Sequence, residues 1–245
     1  DYAPYAGLPQ GAFGLFGGYP AGTGGLRAIL EPGEGFADAL TAGDYPTDAQ
    51  AAVDGGRLRL HRPAGEPGRV AVPEGGLLSD FVQGCGGFGD PLDREPAAVA
   101  ADVRHRVVTA RSAALLYGVV VGQDGTADAA ATEARRAAIR AERLAGVRAD
   151  DTGRIARVQR PADESVPRLR FHETLEVVGA GDTAMVECRR CGEALGSPGE
   201  NYKRRALRRD RERDELAGRP MPDGSPYRAV FREYACPGCA TLLEV

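Results

Sequence analysis

Four of the five cysteines fall into two short pairs, Cys188-Arg-Arg-Cys191-Gly and Cys236-Pro-Gly-Cys239, with 44 residues between them. A Cys-x-x-Cys turn at the end of a strand presents two thiolates on one side, and two such turns converge on one soft divalent ion. Zinc is the expected metal, because all-sulfur tetrahedral sites select zinc or iron–sulfur and nothing in the chain suggests a redox relay. Four thiolates fill the shell and leave no position for water, so the zinc is expected to hold a fold together rather than to catalyse. The expected ligands are Cys188, Cys191, Cys236 and Cys239. Glycines at 192 and 238 are expected to supply the turn geometry. On this reading Cys236→Ser unfolds residues 174–245 and leaves the N-terminal part intact.

The first residues show no charged segment followed by an apolar one, and no run reaches the length of a membrane helix. A cytoplasmic location without membrane contact is therefore expected, and a disulfide framework is the poorer reading of the cysteines. Lys203 is the single lysine. No Gly-x-x-x-x-Gly-Lys phosphate loop can be written around it, so any ATP is held elsewhere. Residues 1–150 carry 14 basic and 19 acidic side chains, and residues 151–245 carry 17 and 16. Neither stretch has the positive field of a duplex binder.

The 34 glycines concentrate in residues 1–95. There, short alternations such as Arg57-Leu58-Arg59-Leu60-His61 and Arg69-Val70-Ala71-Val72 read as strands, with almost no helical periodicity. This region has few large apolar side chains and is expected to lie along a larger partner. Helices follow: one stripe of Val99, Val103 and Val107 after Pro96, a short helix after Thr109, and an Ala/Arg-rich helix over 127–145. Val119-Val120-Val121 reads as a strand. Residues 147–168 read as a linker, and 169–245 as a separate zinc-ribbon domain. Strands are expected near 174–178, 183–187, 227–234 and 241–245, with a charged helix over 202–217 inserted between the cysteine pairs. The fold class is α+β: a Gly-rich β-rich part and helices over 1–146, then the ribbon.

Other motifs carry less chemistry. Gly84-Cys85-Gly86-Gly87-Phe88-Gly89 matches Gly-x-Gly-x-x-Gly, but Asp90-Pro91 follows directly and no βαβ unit surrounds it. A loop packed tightly on a neighbour is the better reading. Residues 203–213 hold seven basic and two acidic side chains. Without aromatics for base stacking, they suit a solvated or subunit-facing helix better than a nucleic-acid helix. His61, His105 and His172 show no ligand pattern, and no base accompanies Cys85, whose role stays open. No catalytic or cofactor-binding residue is assigned.

Three segments in order, Gly14-Leu15-Phe16-Gly17-Gly18-Tyr19-Pro20, Gly84 to Leu92, and Arg104…Val108-Thr109…Tyr117-Gly118-Val119-Val120, resemble the C-terminal part of hydantoinase B/oxoprolinase subunits. The likeness spans about residues 11–146, with Cys85 standing where that family usually has Gly. Residues 151–245 resemble the small zinc-binding gamma subunit of acetone carboxylase.

The combination implies an accessory, non-catalytic subunit of an ATP-dependent ketone carboxylase (a ligase) of the acetone/acetophenone type, forming a 3-oxo acid from ketone and bicarbonate. It implies a hydantoinase A-like ATP-binding subunit and a hydantoinase B-like large subunit as partners. ATP and a divalent metal would then sit on those partners. The alternatives are a subunit of an ATP-dependent hydantoinase/oxoprolinase-type amidohydrolase, and a zinc-ribbon nucleic-acid-binding protein.

Overall fold

The computed structural model describes residues 12–21, 28–44, 49–61, 72, 76–79, 85–148, 166–212 and 230–245. The chain divides into two compact units, one of residues 1–11, 22–84 and 221–225, the other of residues 12–21, 85–220 and 226–245.

In the first unit three antiparallel strands, β1 (Ala28–Pro32), β2 (Leu58–Leu60) and β3 (Leu77–Ser79), lie in the order β2-β1-β3. Two short helices, α1 (Phe36–Thr41) and α2 (Ala49–Asp54), join β1 to β2. Leu30, Phe36, Ala52 and Leu58 form its core. The strand expected over 57–61 is present as Leu58–Leu60. The helices correct the expectation of a region nearly without them: at six residues each they are too short to show a period, and tertiary packing holds them. The strand expected at 69–72 falls almost wholly outside the described residues.

The second unit begins with a ribbon of two glycine-rich segments. Leu15 N–H donates to Gly87 O at 2.9 Å, Gly87 N–H to Tyr19 O at 2.8 Å, and Gly89 N–H to Leu15 O at 2.9 Å. A Cβ on Gly18 would stand 2.0 Å from Gly87 O, so only glycine permits this approach. The Gly-x-Gly-x-x-Gly stretch is thus a packed loop, as the sequence implies, and a single 3-10 turn over Pro91–Asp93 follows it.

Three helices come next, α3 (Pro96–Arg104), α4 (Ala110–Leu116) and α5 (Ala129–Leu144). Pro96 opens α3, Thr109 Oγ1 accepts from Ser112 N–H at 3.0 Å, and Asp128 Oδ1 accepts from Ala131 N–H at 2.9 Å. Each cap satisfies a donor that the first helical turn leaves free. Val99, Ala113 and Val119 seal the contact between α3 and α4. The strand expected over 119–121 reduces to one bridge, Val121 to Ala127. Val119 is instead buried against α3 and α4 side chains, which accounts for its apolar character.

Two antiparallel sheets complete the unit. β5 (Arg168–Arg170), β6 (Leu175–Val178) and β7 (Met185–Cys188) run in that order. β4 (Val147–Arg148), β8 (Leu207–Glu212), β9 (Val230–Ala235) and β10 (Leu242–Glu244) form the other sheet, in the order β10-β9-β8-β4. Leu175, Val186, Cys188, Leu195, Ala206, Cys236 and Leu243 make the core between them.

The expected charged helix over 202–217 is a correction. Residues 202–204 form one 3-10 turn, 207–212 form β8, and 213–217 lie outside the described residues. Helix propensity favours Arg and Glu, yet β8 is held on both sides. It pairs with β9 over six residues and with β4 over two, so inter-strand backbone bonds replace the helix's own, and cross-strand charge pairs add to them. Val147 and Arg148, read from sequence as the start of the linker, are the strand β4.

A candidate four-thiolate metal centre

β7 ends in Cys188, and the chain turns back through Cys191 so that Leu195 N–H donates to Val186 O at 2.8 Å. β9 runs into Cys236 and returns through Cys239 as β10. The two turns have the same build. Cys188 N–H donates to Glu193 O at 2.9 Å and Cys236 N–H to Thr241 O at 2.8 Å. Gly192 N–H closes back on Cys188 O at 2.7 Å and Ala240 N–H on Cys236 O at 2.9 Å. The residue after the second cysteine is left-handed in both, with φ of 70° at Gly192 and 61° at Ala240.

This corrects the sequence expectation for Gly238. Its backbone is not left-handed; rather, a Cβ there would lie 2.8 Å from Cys191 Sγ, so glycine keeps the second turn close to the first. The left-handed position falls on Ala240, which no sequence rule marks, since alanine in that region costs about 1–2 kcal/mol.

The four cysteines come together as the spacing predicts. Their sulfurs all lie within 4.8 Å of one another. Cys188 and Cys239 sulfurs are 3.8 Å apart, and those of Cys191 and Cys236 are 3.6 Å apart. A tetrahedron with bonds of about 2.3 Å has edges near 3.8 Å, so the donor set fits a metal ion bound by sulfur. The electrostatics point the same way. Hydrogen bonding to Cys188 and Cys239 holds the Cys236 thiol far above its ordinary range. Burial pushes Cys191 up to about 12. Hydrogen bonds from Cys188 and Cys236 draw Cys239 down. Thiols bind a metal as thiolates, and a bound dication would supply the charge that lets all four ionise. Thr241 Oγ1 lies 3.2 Å from Cys239 Sγ and supports that ligand from outside the shell.

Side chains of the helical region grip both turns. Arg190, inside the first turn, pairs with Asp93 through both guanidinium nitrogens, one at 2.8 Å. Asp90 Oδ2 accepts from Leu242 N–H at 2.9 Å, just past the second turn. Arg143 of α5 donates to Ala240 O at 3.1 Å and to both Asp90 oxygens at 2.8 and 3.1 Å. Sequence reasoning missed this clamp. The signal was present: Thr132, Ile139 and Arg143 share the buried face of α5, and an arginine on such a face needs a carboxylate partner.

Five basic side chains of the run, Lys203, Arg205, Arg208, Arg209 and Arg211, pair with acids. Arg209 reaches Glu233 at 2.6 Å and Glu142 at 3.1 Å, and Arg211 reaches Glu233 at 3.4 Å. Arg208 and Arg232 flank Asp210, Lys203 pairs with Glu244 at 3.1 Å, and Arg205 with Glu200 at 3.6 Å. The acids that face Arg209 are Glu233, opposite it on β9, and Glu142 on α5. Tyr19 also donates its hydroxyl to the buried Glu233, and burial raises its pKa well above the usual range. His172 is buried against Leu243 O, and Cys85 is exposed. Among the described residues no helix is long and apolar enough to cross a membrane.

Residues 164–245 match the family model of the acetone carboxylase gamma subunit. The chain is 37% identical over 150 residues to the acetone carboxylase alpha subunit of Xanthobacter autotrophicus (strain ATCC BAA-1158 / Py2), an alignment covering 54% of this chain and 19% of that protein. It is 54% identical over 55 residues to the caprolactamase subunit beta of Pseudomonas jessenii, covering 22% of this chain and 10% of that protein. A solved nucleotide-free structure of acetone carboxylase, from work on ATP-dependent acetone carboxylation, aligns at 34% identity over 54% of this chain and 19% of its own, with a TM-score of 0.40. The chain spans a fifth or less of the length of the curated relatives it matches. It therefore carries an acetone carboxylase gamma-type domain at its C-terminal end and is homologous, over part of its length, to the acetone carboxylase alpha subunit.

Proposed function

We propose that this chain is an accessory subunit of an ATP-dependent ketone carboxylase complex of the acetone/acetophenone type. The observation that carries the reading is the conjunction, in one chain, of a gamma-type domain and an alpha-type stretch. Its metal is zinc, held by Cys188, Cys191, Cys236 and Cys239. Bound there, zinc would offset half the charge of four thiolates and cross-link two turns, and a filled shell would leave it no catalytic role. The chain's own part is structural: Asp90, Asp93, Arg143 and Arg190 transmit the rigidity of the two turns to the glycine ribbon. ATP and a further divalent metal belong to partner subunits of the hydantoinase A-like and B-like kinds, and this chain supplies no catalytic side chain.

The likeness to caprolactamase subunit beta, at 54% identity, favours a second reading, an ATP-dependent amidohydrolase complex. Labelled bicarbonate and ATP offered to the complex isolated through a tag on this chain distinguish the two. Acid-stable incorporation of label into a 3-oxo acid with acetone or acetophenone is the expected result. ATP-dependent opening of a cyclic amide without bicarbonate would assign the second reading.

A further inference from the structure

The glycine ribbon holds three large apolar side chains out of the protein, while Phe16 turns in to pack on His172. Phe13 is 75% exposed, Leu15 58% and Phe88 66%. Leu15 and Phe88 are bridged in parallel register, and Phe13 stands two residues before Leu15, so the three share one edge of the ribbon. That edge cannot fold inward. Gly14, Gly18 and Gly86 each have a backbone carbonyl within 2.0 Å of the position a Cβ would take, and three backbone hydrogen bonds tie the two segments together. A single exposed apolar residue is ordinary, but three on one rigid edge form a patch of the kind that marks an interface.

The chemistry of the occupant can be read from the same segments. Residues 12–21 and 85–89 contain no Asp, Glu, Lys, Arg or His. Their only ionisable groups are Cys85 and Tyr19, and Tyr19 is turned in to Glu233. Such an edge recognises an uncharged apolar surface through area, not through charge. In the alpha-subunit relative, the homologous stretch is 19% of a polypeptide about five times as long. The remaining four-fifths must pack on faces that the stretch does not need for its own core.

We propose that the ribbon edge of Phe13, Leu15 and Phe88 is the surface on which this chain docks an alpha-type polypeptide. The proposal rests on the carboxylase-subunit reading above and deepens it by naming the face. The two turns of the metal centre hold that face in place, because Asp90, which closes the ribbon, bonds Leu242 N–H directly.

The test is capture of the source organism's alpha-type polypeptide, co-expressed with the tagged full chain and identified by mass spectrometry. F13E combined with L15E should weaken capture at least about tenfold, the loss usual for central apolar anchors. F13L with L15M, and V107E on another exposed apolar residue, should capture as the unmodified chain does. Metal content and the unfolding midpoint of each variant report whether it is folded.

A measurement without mutation covers the case of a misfolded variant. Cys85 is exposed in the same ribbon, and its alkylation should slow at least about tenfold in the complex. Full capture by folded F13E/L15E, or unchanged Cys85 labelling, would overturn the docking face while leaving the carboxylase reading standing. An unmodified chain that captures no alpha-type polypeptide would overturn both. A self-associated chain that the double substitution turns into a monomer would assign the edge to a second copy and overturn the proposal.

Discussion

Arg143 and Asp90 form a doubly hydrogen-bonded ion pair, at 2.8 and 3.1 Å, sealed from solvent between α5 and the second cysteine turn. Burial makes the pair costly to break, since removing one partner strands the other's charge. Asp90→Asn and Arg143→Met should each lower stability by about 3–5 kcal/mol. Together they should cost much less than the sum of the two. Chemical unfolding of the four proteins in a double-mutant cycle checks this. Additive losses would mean the two side chains act separately.

Loss of the metal should reach beyond the cysteine domain. The sequence alone suggests that Cys236→Ser leaves the N-terminal part intact. The contacts from Asp90, Asp93 and Arg143 to the two turns predict otherwise. Hydrogen exchange after chelation or in Cys236→Ser should show faster exchange at Leu15, Gly87 and Gly89 as well as around residues 186–196 and 235–244. Unchanged protection in the ribbon would show that the clamp does not depend on the metal.

The ribbon tolerates no side chain at its crossing. Gly18→Ala places a methyl 2.0 Å from Gly87 O and should cost upwards of about 1–3 kcal/mol, the usual penalty of overpacking. Gly199→Ala meets nothing within 4 Å and should leave the unfolding midpoint within experimental error. Thermal unfolding of the pair separates a specific close approach from a general intolerance of the loops.

His172 should make stability depend on pH in one direction. Thr174 N–H donates to its Nδ1 at 3.0 Å while its Nε2 faces Leu243 O at 3.1 Å, an arrangement for the neutral ring. Burial lowers its pKa below the ordinary value of 6.5. The unfolded chain therefore takes up a proton before the folded one does. The stabilisation is complete above about pH 6.5 and declines as pH falls toward the lower folded pKa. In His172→Asn the fall in unfolding free energy between pH 7 and 5 should be shallower, and an unchanged slope would assign the acid sensitivity to other groups.

The arginines of β8 should not make a nucleic-acid binder. A protein neutralising six or more phosphates loses about a thousandfold in affinity between 50 and 200 mM salt. With Arg208, Arg209 and Arg211 already facing Asp210, Glu142 and Glu233, binding to a mixed-sequence RNA should be weak at both salts. Tight binding with a steep salt slope would revive the nucleic-acid reading.

The metal centre was legible because its information is local: two cysteines at i and i+3 in each pair demand a tight turn, and four thiols in one chain demand a cation. The strands at 175–178, 185–188 and 242–244 were legible for the same reason, as short apolar runs between turn residues. β8 was not. Leu207 to Glu212 has helix-forming composition, and its strand conformation depends on Asp210 lying opposite Arg232 and Arg209 opposite Glu233, partners more than 20 residues away. Arg143 and Asp90 are 53 residues apart, and although Arg143 falls on the α5 face of Thr132 and Ile139, nothing local marks Asp90 as its partner. The left-handed Ala240 was hidden by its side chain, which disfavours the conformation that the turn imposes.

Native mass spectrometry of the assembly isolated through a tag on this chain tests the central claim most directly, because one spectrum reports both metal and companions. The predicted result is one zinc per copy of this chain, in a complex that contains an alpha-type polypeptide. A folded chain that travels alone without metal, or one that carries RNA in place of a large subunit, would contradict it.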